Sequence, residues 1–322
     1  MKIKSQIFAI VVAASLITSA FGQSDDDKAG SVGFRFLNLG ADARSTGMGR
    51  AYTSLVDDAL AVFSNPGGLG MVENISISFT HSEYLVETKY ESFAAAMAVE
   101  GIGTFGLGIT FLDYGGIKET DFGVAGGFTG NTLDPSDLAI GVSFARMLSD
   151  NFSLGVTVKY FQEDLDFDGI KASGVAFDVG TVFDTGYRGI KIGAAMTNFG
   201  PDVGFSGDGG FESDQDIPLP QTFRIGLSMD SRSFNENENL VVTGSVDLLK
   251  NADTVQRLPV GVEVMVSKML MLRGGYVFGY SEGSYSFGVG VHVSKFKVDY
   301  SLSKLEDFGT SDIQRFSIGI EL

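Results

Sequence analysis

The chain has 322 residues, 40 Asp and Glu against 23 Lys and Arg for a net charge of −17, and no cysteine. The missing cysteines exclude disulfide frameworks and thiolate metal sites, two histidines argue against a multi-histidine metal centre, and the acidic balance argues against nucleic acid as a partner. Glycine is abundant at 43 residues, and 27 Phe and 10 Tyr occur without any Trp, so an interfacial aromatic belt would be built from Phe and Tyr.

Residues 1–22 read as an export signal. Lys2 and Lys4 supply the charge, Ile7 to Ile17 forms the apolar run, and Ala20-Phe21-Gly22 places small residues where a signal peptidase reads. The run is too short to cross a bilayer as a helix, and no later stretch is long and apolar enough to do so. Residues 23–73 follow as an N-terminal segment of different character. Gly47 and Gly49 permit close backbone approach or positive φ. Asp57 is predicted to cap a short helix from Asp58 to about Phe63, and Asn65-Pro66-Gly67 to stop it and turn the chain.

From residue 74 to residue 322 the pattern changes to strict alternation, the period of a strand with one apolar and one polar or small face. Such runs carry Ile75 and Phe79; Phe93 and Met97; Phe105 and Ile109; Ile140 and Phe144; Leu154 and Val158; Val175 and Val179; Ile190 and Ile192. The second half adds Phe223 and Leu227; Val242 and Val246; Val260 and Val264; Leu272 and Tyr276; Phe287 and Val291; Phe296 and Tyr300. The last run is Arg315-Phe316-Ser317-Ile318-Gly319-Ile320-Glu321-Leu322, ending at the terminal carboxylate. This makes about fourteen strands, an even number, as an antiparallel barrel needs to close with both termini on one side. The expected fold is all-β, a transmembrane antiparallel barrel from 74 to 322.

The connections alternate in length. Gly101-Ile102-Gly103, Ser149-Asp150-Asn151, Ser267-Lys268 and Ser294-Lys295 are tight, whereas Gly116 to Ser136 and Pro201 to Leu219 are long. Short inner turns and long outer loops are the asymmetry of an outer-membrane barrel. The connection at Glu87 is short for an outer loop and that through Ser233 to Glu238 long for an inner turn. The polar face carries small residues, among them Ser92, Ala94, Ala96, Gly106, Gly108, Gly288 and Gly290. A fourteen-strand lumen is wider than such side chains fill, so the 23–73 segment is predicted to sit inside as a plug. Charges also face inward: Lys159, Asp178, Arg224, Asp247, Glu263, Arg273, Lys297 and Asp299. Burial demands that they pair, and Arg35, Arg44, Asp57 and Asp58 are the plug-side partners expected.

Two motifs carry less than they spell. Gly101 to Gly106 matches GxGxxG but falls on a hairpin turn, without the following helix that would meet a pyrophosphate, and no cofactor is expected. Asp164, Asp166 and Asp168 with Gly169 open like a calcium loop, yet Val175 stands where the bidentate Glu belongs. They are the only candidate metal ligands. Acidic residues cluster in the long loops, at Asp202, Asp208, Glu212, Asp214 and Asp216, either as ordinary solvated loops or as a negative rim that steers a basic partner.

The N-terminal segment contains Leu37-x-x-Gly40-x-x-Ala43-Arg44-x-x-Gly47-Met48-Gly49, then Asp57-Asp58-Ala59, then Asn65-Pro66-Gly67-Gly68-Leu69. This pattern resembles the N-terminal signature of the PorV/PorQ family, within the wider group of FadL-like fourteen-stranded outer-membrane barrels. Arg50 departs from it where that family usually has Gly, and Gly67 where it usually has Ala. The resemblance implies a non-enzymatic barrel in outer-membrane lipid, serving type IX secretion by binding or shuttling the C-terminal signal domains of cargo. Its implied partners are the secretion translocon and a sortase-like peptidase. The alternative implied by FadL-like relatives is a channel for long-chain fatty acids or other hydrophobic small molecules.

Overall fold

The computed structural model describes residues 30–84, 86–124, 126–234, 238–279, 284–304 and 312–322. The export signal over 1–22 and the first residues of the N-terminal segment lie outside the described residues. Fourteen strands form the wall: β1 (Ile75–Glu83), β2 (Lys89–Val99), β3 (Gly103–Asp113), β4 (Ser136–Ser149), β5 (Phe152–Asp164), β6 (Lys171–Asp184) and β7 (Ile190–Phe199), then β8 (Thr222–Asp230), β9 (Leu240–Asn251), β10 (Leu258–Val266), β11 (Leu270–Phe278), β12 (Ser284–Val293), β13 (Phe296–Lys304) and β14 (Asp312–Glu321). Each pairs antiparallel with its chain neighbour, and β14 returns to β1 in a continuous register from Ser76↔Glu321 to Glu83↔Gln314. The sheet therefore closes. Closure leaves no strand edge in the hydrocarbon, where an unpaired backbone group would cost several kcal/mol.

Alternation sorts the side chains as the sequence pattern requires. Phe79, Phe105, Val156, Phe177, Leu227, Phe287, Phe316 and Ile318 face outward and are exposed, whereas Ser76, Ser78, Thr80, Ser82, Ala94 and Ala96 are buried on the lumen side. This is the inverse of a soluble protein and fits a wall that meets lipid outside. Among the described residues no helix is long and apolar enough to cross a membrane.

The end with the tight turns is the periplasmic one by the usual loop asymmetry. The two connections that looked misplaced in the sequence are real. The chain turns after β1 within residues 84–88, and β8 runs to β9 through residues 231–239. The two long outer connections are structured. Residues 117–133 form a hairpin of Ile117–Thr120 with Phe128–Leu133. Residues 200–221 fold back over the mouth, with Val203 and Leu219 buried and Val203 bridged to Ile217, so only part of this loop faces solvent.

Residues 30–74 lie inside the cylinder. A 3-10 turn at Arg35–Asn38 leads to α1 (Ala43–Gly47), and two further 3-10 turns span Ala59–Phe63 and Pro66–Met71. The side chain of Asp42 caps α1, and that of Asp58 caps the Ala59–Phe63 turn by accepting from Leu60 N. The predicted cap at Asp57 is thus displaced by one residue, and the helix is a 3-10 turn. Two apolar clusters result. One joins Met48, Val56, Leu60, Val62 and Leu69 to Ala94, Ala96 and Ala145 of the wall. The other joins Phe34 and Phe36 to Tyr90, Leu112, Phe161 and the returning Leu219.

Candidate functional site

Wall and plug meet through backbone. A Cβ added to Gly155, Gly193, Gly261 or Gly275 would lie 2.1 to 2.6 Å from main-chain atoms of Pro66, Thr53, Met48 and Gly49 respectively. The small residues of the lumen face are the sites where the plug presses on the sheet. Wall hydroxyls then take up plug main-chain groups. Ser92 Oγ donates to Ala41 O at 2.5 Å, Ser153 Oγ to Gly67 O at 2.7 Å and Ser286 Oγ to Gly47 O at 3.3 Å. Ala43 N donates to Ser317 Oγ at 3.0 Å and Ala59 N to Ser76 Oγ at 3.1 Å.

The signature residues occupy defined places in this contact. Asn65 Nδ2 donates to Thr53 O at 2.7 Å and to Thr181 O at 3.0 Å, while its Oδ1 accepts from Gly67 N at 3.1 Å. Pro66 opens the following 3-10 turn. Gly67 has no room for a side chain, since a Cβ there would stand 2.7 Å from Thr181 Cα and 2.8 Å from Gly180 O. Met48 is fully buried. Gly49 holds φ 63, and Arg50 beside it holds φ 67 without being glycine. A side chain there sits in a conformation that carries strain on the order of 1–3 kcal/mol.

Among the described residues, two groups of lumen charges stand out. In the first, Arg44 donates from Nε and Nη2 to the two carboxylate oxygens of Glu263, each at 3.2 Å, and from Nη1 to Asp57 at 2.8 Å. Arg273, with no exposed side-chain surface, donates to the same Glu263 at 2.6 Å and to Asp299 at 2.5 Å. His292 Nε2 lies 3.4 Å from Asp299. In the second, Lys159 pairs with Asp178 at 2.9 Å and donates to Asn198 Oδ1 at 2.6 Å. Arg35 pairs with Asp253, in the β9–β10 connection, and Lys297 with Glu321. Asp247 accepts from Tyr52 N and Thr53 N at 3.1 and 3.0 Å and from Thr53 Oγ1 at 2.5 Å.

The structure thus joins Arg44, Glu263 and Arg273, and joins Lys159 to Asp178, while Arg224 on β8 borders the extracellular end of the lumen. Sequence reasoning did not single out Arg315, whose Nε donates to Gly40 O at 3.1 Å. The signal was present, because alternation in the terminal octet puts Arg315 on the face of Ser317. Asn198 was also missed. Its φ of 59 and its contacts to Asn38 and Asp178 depend on the wall bulge between Phe177 and Val179, which no local pattern reports.

The three aspartates at the outer end of β5 are engaged in turn geometry. Asp164 pairs with Lys171 at 2.7 Å and accepts from Asp166 N, and Asp166 accepts from Asp134 N at 2.8 Å. Among the described residues no group of three or more His, Asp and Glu converges as metal ligands would. Gly101 and Gly103 shape the β2–β3 turn, and β3 follows in place of a helix.

Two cavities of mixed polar and apolar lining flank the plug. The periplasmic one, about 240 Å³, is lined by Arg44, Asp57, Lys191, Arg232, His292 and Lys297 among others. The extracellular one, about 380 Å³, is bordered by Arg35, Arg50, Arg224, Arg257 and Asp253. The apolar space between plug and wall near Phe63 and Tyr90 amounts to about 20 Å³, whereas a cavity that holds benzene measures on the order of 150 Å³.

The profile of a family described as "Type IX secretion system protein PorV" matches residues 22–252. The fold is similar to the crystal structure of the Ralstonia pickettii toluene transporter TbuX, with a TM-score of 0.58 and 16% identity over 88% of this chain and 98% of that one. It is also similar to the Pseudomonas putida toluene transporter TodX, with a TM-score of 0.56 and 13% identity over 87% of this chain and 97% of that one. A Pseudomonas aeruginosa FadL homologue follows with a TM-score of 0.51 and 12% identity over 87% and 98%. At such identities the likeness is one of fold. No curated protein matches the chain.

Proposed function

Since the chain belongs to the PorV family of type IX secretion proteins, an outer-membrane barrel with a FadL-like fold, we propose that it docks the C-terminal signal domains of exported cargo at its outer face. It does so without covalent chemistry, alongside the translocon and a sortase-like peptidase. The observation that carries this reading is the contrast between a plug tightly bonded to the wall and an elaborated outer surface. The plug is bonded to the wall around the lumen, the space beside Phe63 and Tyr90 is far too small for an aromatic hydrocarbon or an acyl chain, and the larger cavities at either end carry charged side chains. That weighs against passage of hydrophobic solutes through the interior.

The outer surface offers what a protein partner would use. Residues 200–221 carry five carboxylates and no Lys or Arg, and the hairpin over residues 117–133 at the same end exposes Ile117, Phe122 and Phe128. A negative rim speeds encounter with a basic surface, and exposed aromatics supply the desolvated contact that most affinity comes from. The test is deletion of the gene followed by complementation with a variant in which Asp202, Asp208, Asp214 and Asp216 become Asn and Glu212 becomes Gln. Surface proteins are quantified on intact cells. Delivery falls on deletion and is only partly restored by the variant. Unchanged delivery after deletion refutes the proposal.

A further inference from the structure

The plug crosses the lumen once, from the outer mouth to the periplasmic end. Its first described residues are tied to outer connections: Gly33 N donates to Pro218 O at 3.1 Å, Arg35 pairs with Asp253, and Asn38 Nδ2 donates to Pro220 O at 2.9 Å. The centroid of the Phe34 ring lies 4.9 Å from that of Phe161 and 6.1 Å from that of Phe205. Lower down, Gly47 presses on Gly288 and Thr53 on Gly193. At the far end Ala59 N donates to Ser76 Oγ, and Ala98 N donates to Asn74 O at 2.7 Å where the chain enters β1. Leu322 follows β14 at that same periplasmic end, its N–H donated to Ile75 O at 2.8 Å.

The wall therefore begins and ends on the periplasmic side, while the chain ahead of the plug starts at the opposite mouth. Gly30 and Ser31 are exposed, and a Cβ built on Gly30 meets open space. Removal of the export signal over 1–22 leaves seven residues ahead of Gly30, Gln23-Ser24-Asp25-Asp26-Asp27-Lys28-Ala29. Three successive carboxylates are costly to bring out of water, and the rest of the plug occupies the lumen below. Fully stretched, such a tail reaches about 25 Å, no more than the height of the apolar band alone. It falls short of the periplasmic face.

We propose that the mature amino terminus opens on the cell exterior, and that Asp25, Asp26 and Asp27 extend the acidic 200–221 segment into one lip that receives a basic surface of a docked polypeptide. The two stretches share a root. Gly33 bonds to Pro218, and a Cβ on Gly33 would stand 2.8 Å from Ile217 Cγ2, one residue from Asp216. Asp202, Asp208, Glu212, Asp214 and Asp216 are all exposed. Within the two stretches Lys28 and the terminal amine are the only cations against these carboxylates and the three of the tail. A concentrated field of one sign speeds encounter with a surface of the other and fixes its orientation. The topology stands on the path of the plug, and the partner rests on the docking reading.

The chain has no cysteine, so one introduced thiol reports one place. Intact cells carrying Ser24→Cys are treated with a membrane-impermeant maleimide, beside Asp214→Cys on the outer segment and Asp150→Cys in the β4–β5 turn. Expected is labelling of Ser24→Cys on intact cells to the level of Asp214→Cys, with Asp150→Cys labelled only after permeabilisation. Labelling of Ser24→Cys only after permeabilisation, or in neither state because the tail lies within the lumen, overturns the proposal and leaves docking by residues 200–221 standing. An intact mass showing a chain that starts beyond Asp27 overturns it too. The partner is tested with a fluorescent decalysine peptide bound to the mature protein in micelles at low salt. Asp25→Asn, Asp26→Asn and Asp27→Asn together are expected to weaken binding about threefold more than Glu73→Gln, Glu100→Gln and Asp150→Asn at the periplasmic end, which change the net charge equally. Equal effects of the two sets overturn the lip.

Discussion

Replacing Glu263 with Gln removes an anion that Arg44 and Arg273 share while keeping the side chain's shape. In the native protein that carboxylate takes two hydrogen bonds from Arg44 at 3.2 Å and one from Arg273 at 2.6 Å. Leaving a buried charge without its partner costs about 3–5 kcal/mol. The lower end applies, because Arg44 keeps Asp57 at 2.8 Å and Arg273 keeps Asp299 at 2.5 Å. The assay is a urea titration in micelles, read by protease cleavage within residues 30–73, with heat-modifiable gel mobility reporting the barrel separately. With a urea slope of about 1–3 kcal/mol per molar, a loss of about 3 kcal/mol lowers the plug midpoint by about 1–3 M. Arg44→Met should cost about half as much, since Glu263 retains Arg273 and the half-exposed Asp57 regains water. If the Glu263→Gln midpoint stays within about 0.3 M of the parent, a shift too small for any buried-pair penalty, charge pairing does not hold the plug.

Gly67→Ala installs the residue usual in relatives, yet it should destabilise by about 1–3 kcal/mol, because the new Cβ meets backbone at Thr181 and Gly180 in place of a yielding side chain; the same urea titration reads it. Burial, reinforced by the neighbouring Asp57 carboxylate, pushes the Asp58 carboxyl up to about 6. A raised carboxyl contributes stability that is complete below its unfolded value near 3.8 and is lost as pH rises through about 6. Asp58→Asn keeps the cap on Leu60 N and should flatten urea midpoints between pH 4 and pH 7; an unchanged slope would show that Asp58 does not titrate in that window.

The wall was legible because its pattern is local. Each strand announces itself by alternation over about ten residues, and most tight turns fix which end is which, although the connections at Glu87 and through Ser233 to Glu238 break that length rule. The plug was legible only as a segment whose composition differed. That Asn65 would reach Thr181 across 116 positions, or that Arg315 would bond Gly40 across 275, follows from closure of the cylinder and from no periodicity. Inward charges could be read as inward, but their pairing depends on register between strands far apart in sequence. Hence Arg44 with Glu263 was open to reasoning only as a class of contact. The Asp57 cap failed for a smaller reason: both Asp57 and Asp58 have the chemistry of a cap, and the choice was made by Arg44, which draws Asp57 away.

The distribution of the plug's bonds bears on whether it could open. Ser76, Ser153 and Ser286 hold it from β1, β5 and β12, three separated strands of the ring, each through one main-chain group. A hydrogen bond of this kind is worth about 0.5–1.5 kcal/mol net, so no single serine fixes the plug and no single event releases it. Sites this far apart with no shared partner should act independently. Single Ser→Ala changes are therefore expected to cost about 1 kcal/mol each and the triple variant about 3 kcal/mol, by the same protease-read urea titration. A latch mechanism predicts otherwise: one serine would account for most of the loss and the triple variant would add little. That outcome would refute the distributed anchoring inferred here and restore movement of the plug as a route through the barrel. The additive outcome would mean that opening demands rupture all around the lumen at once, which confines traffic to the outer face.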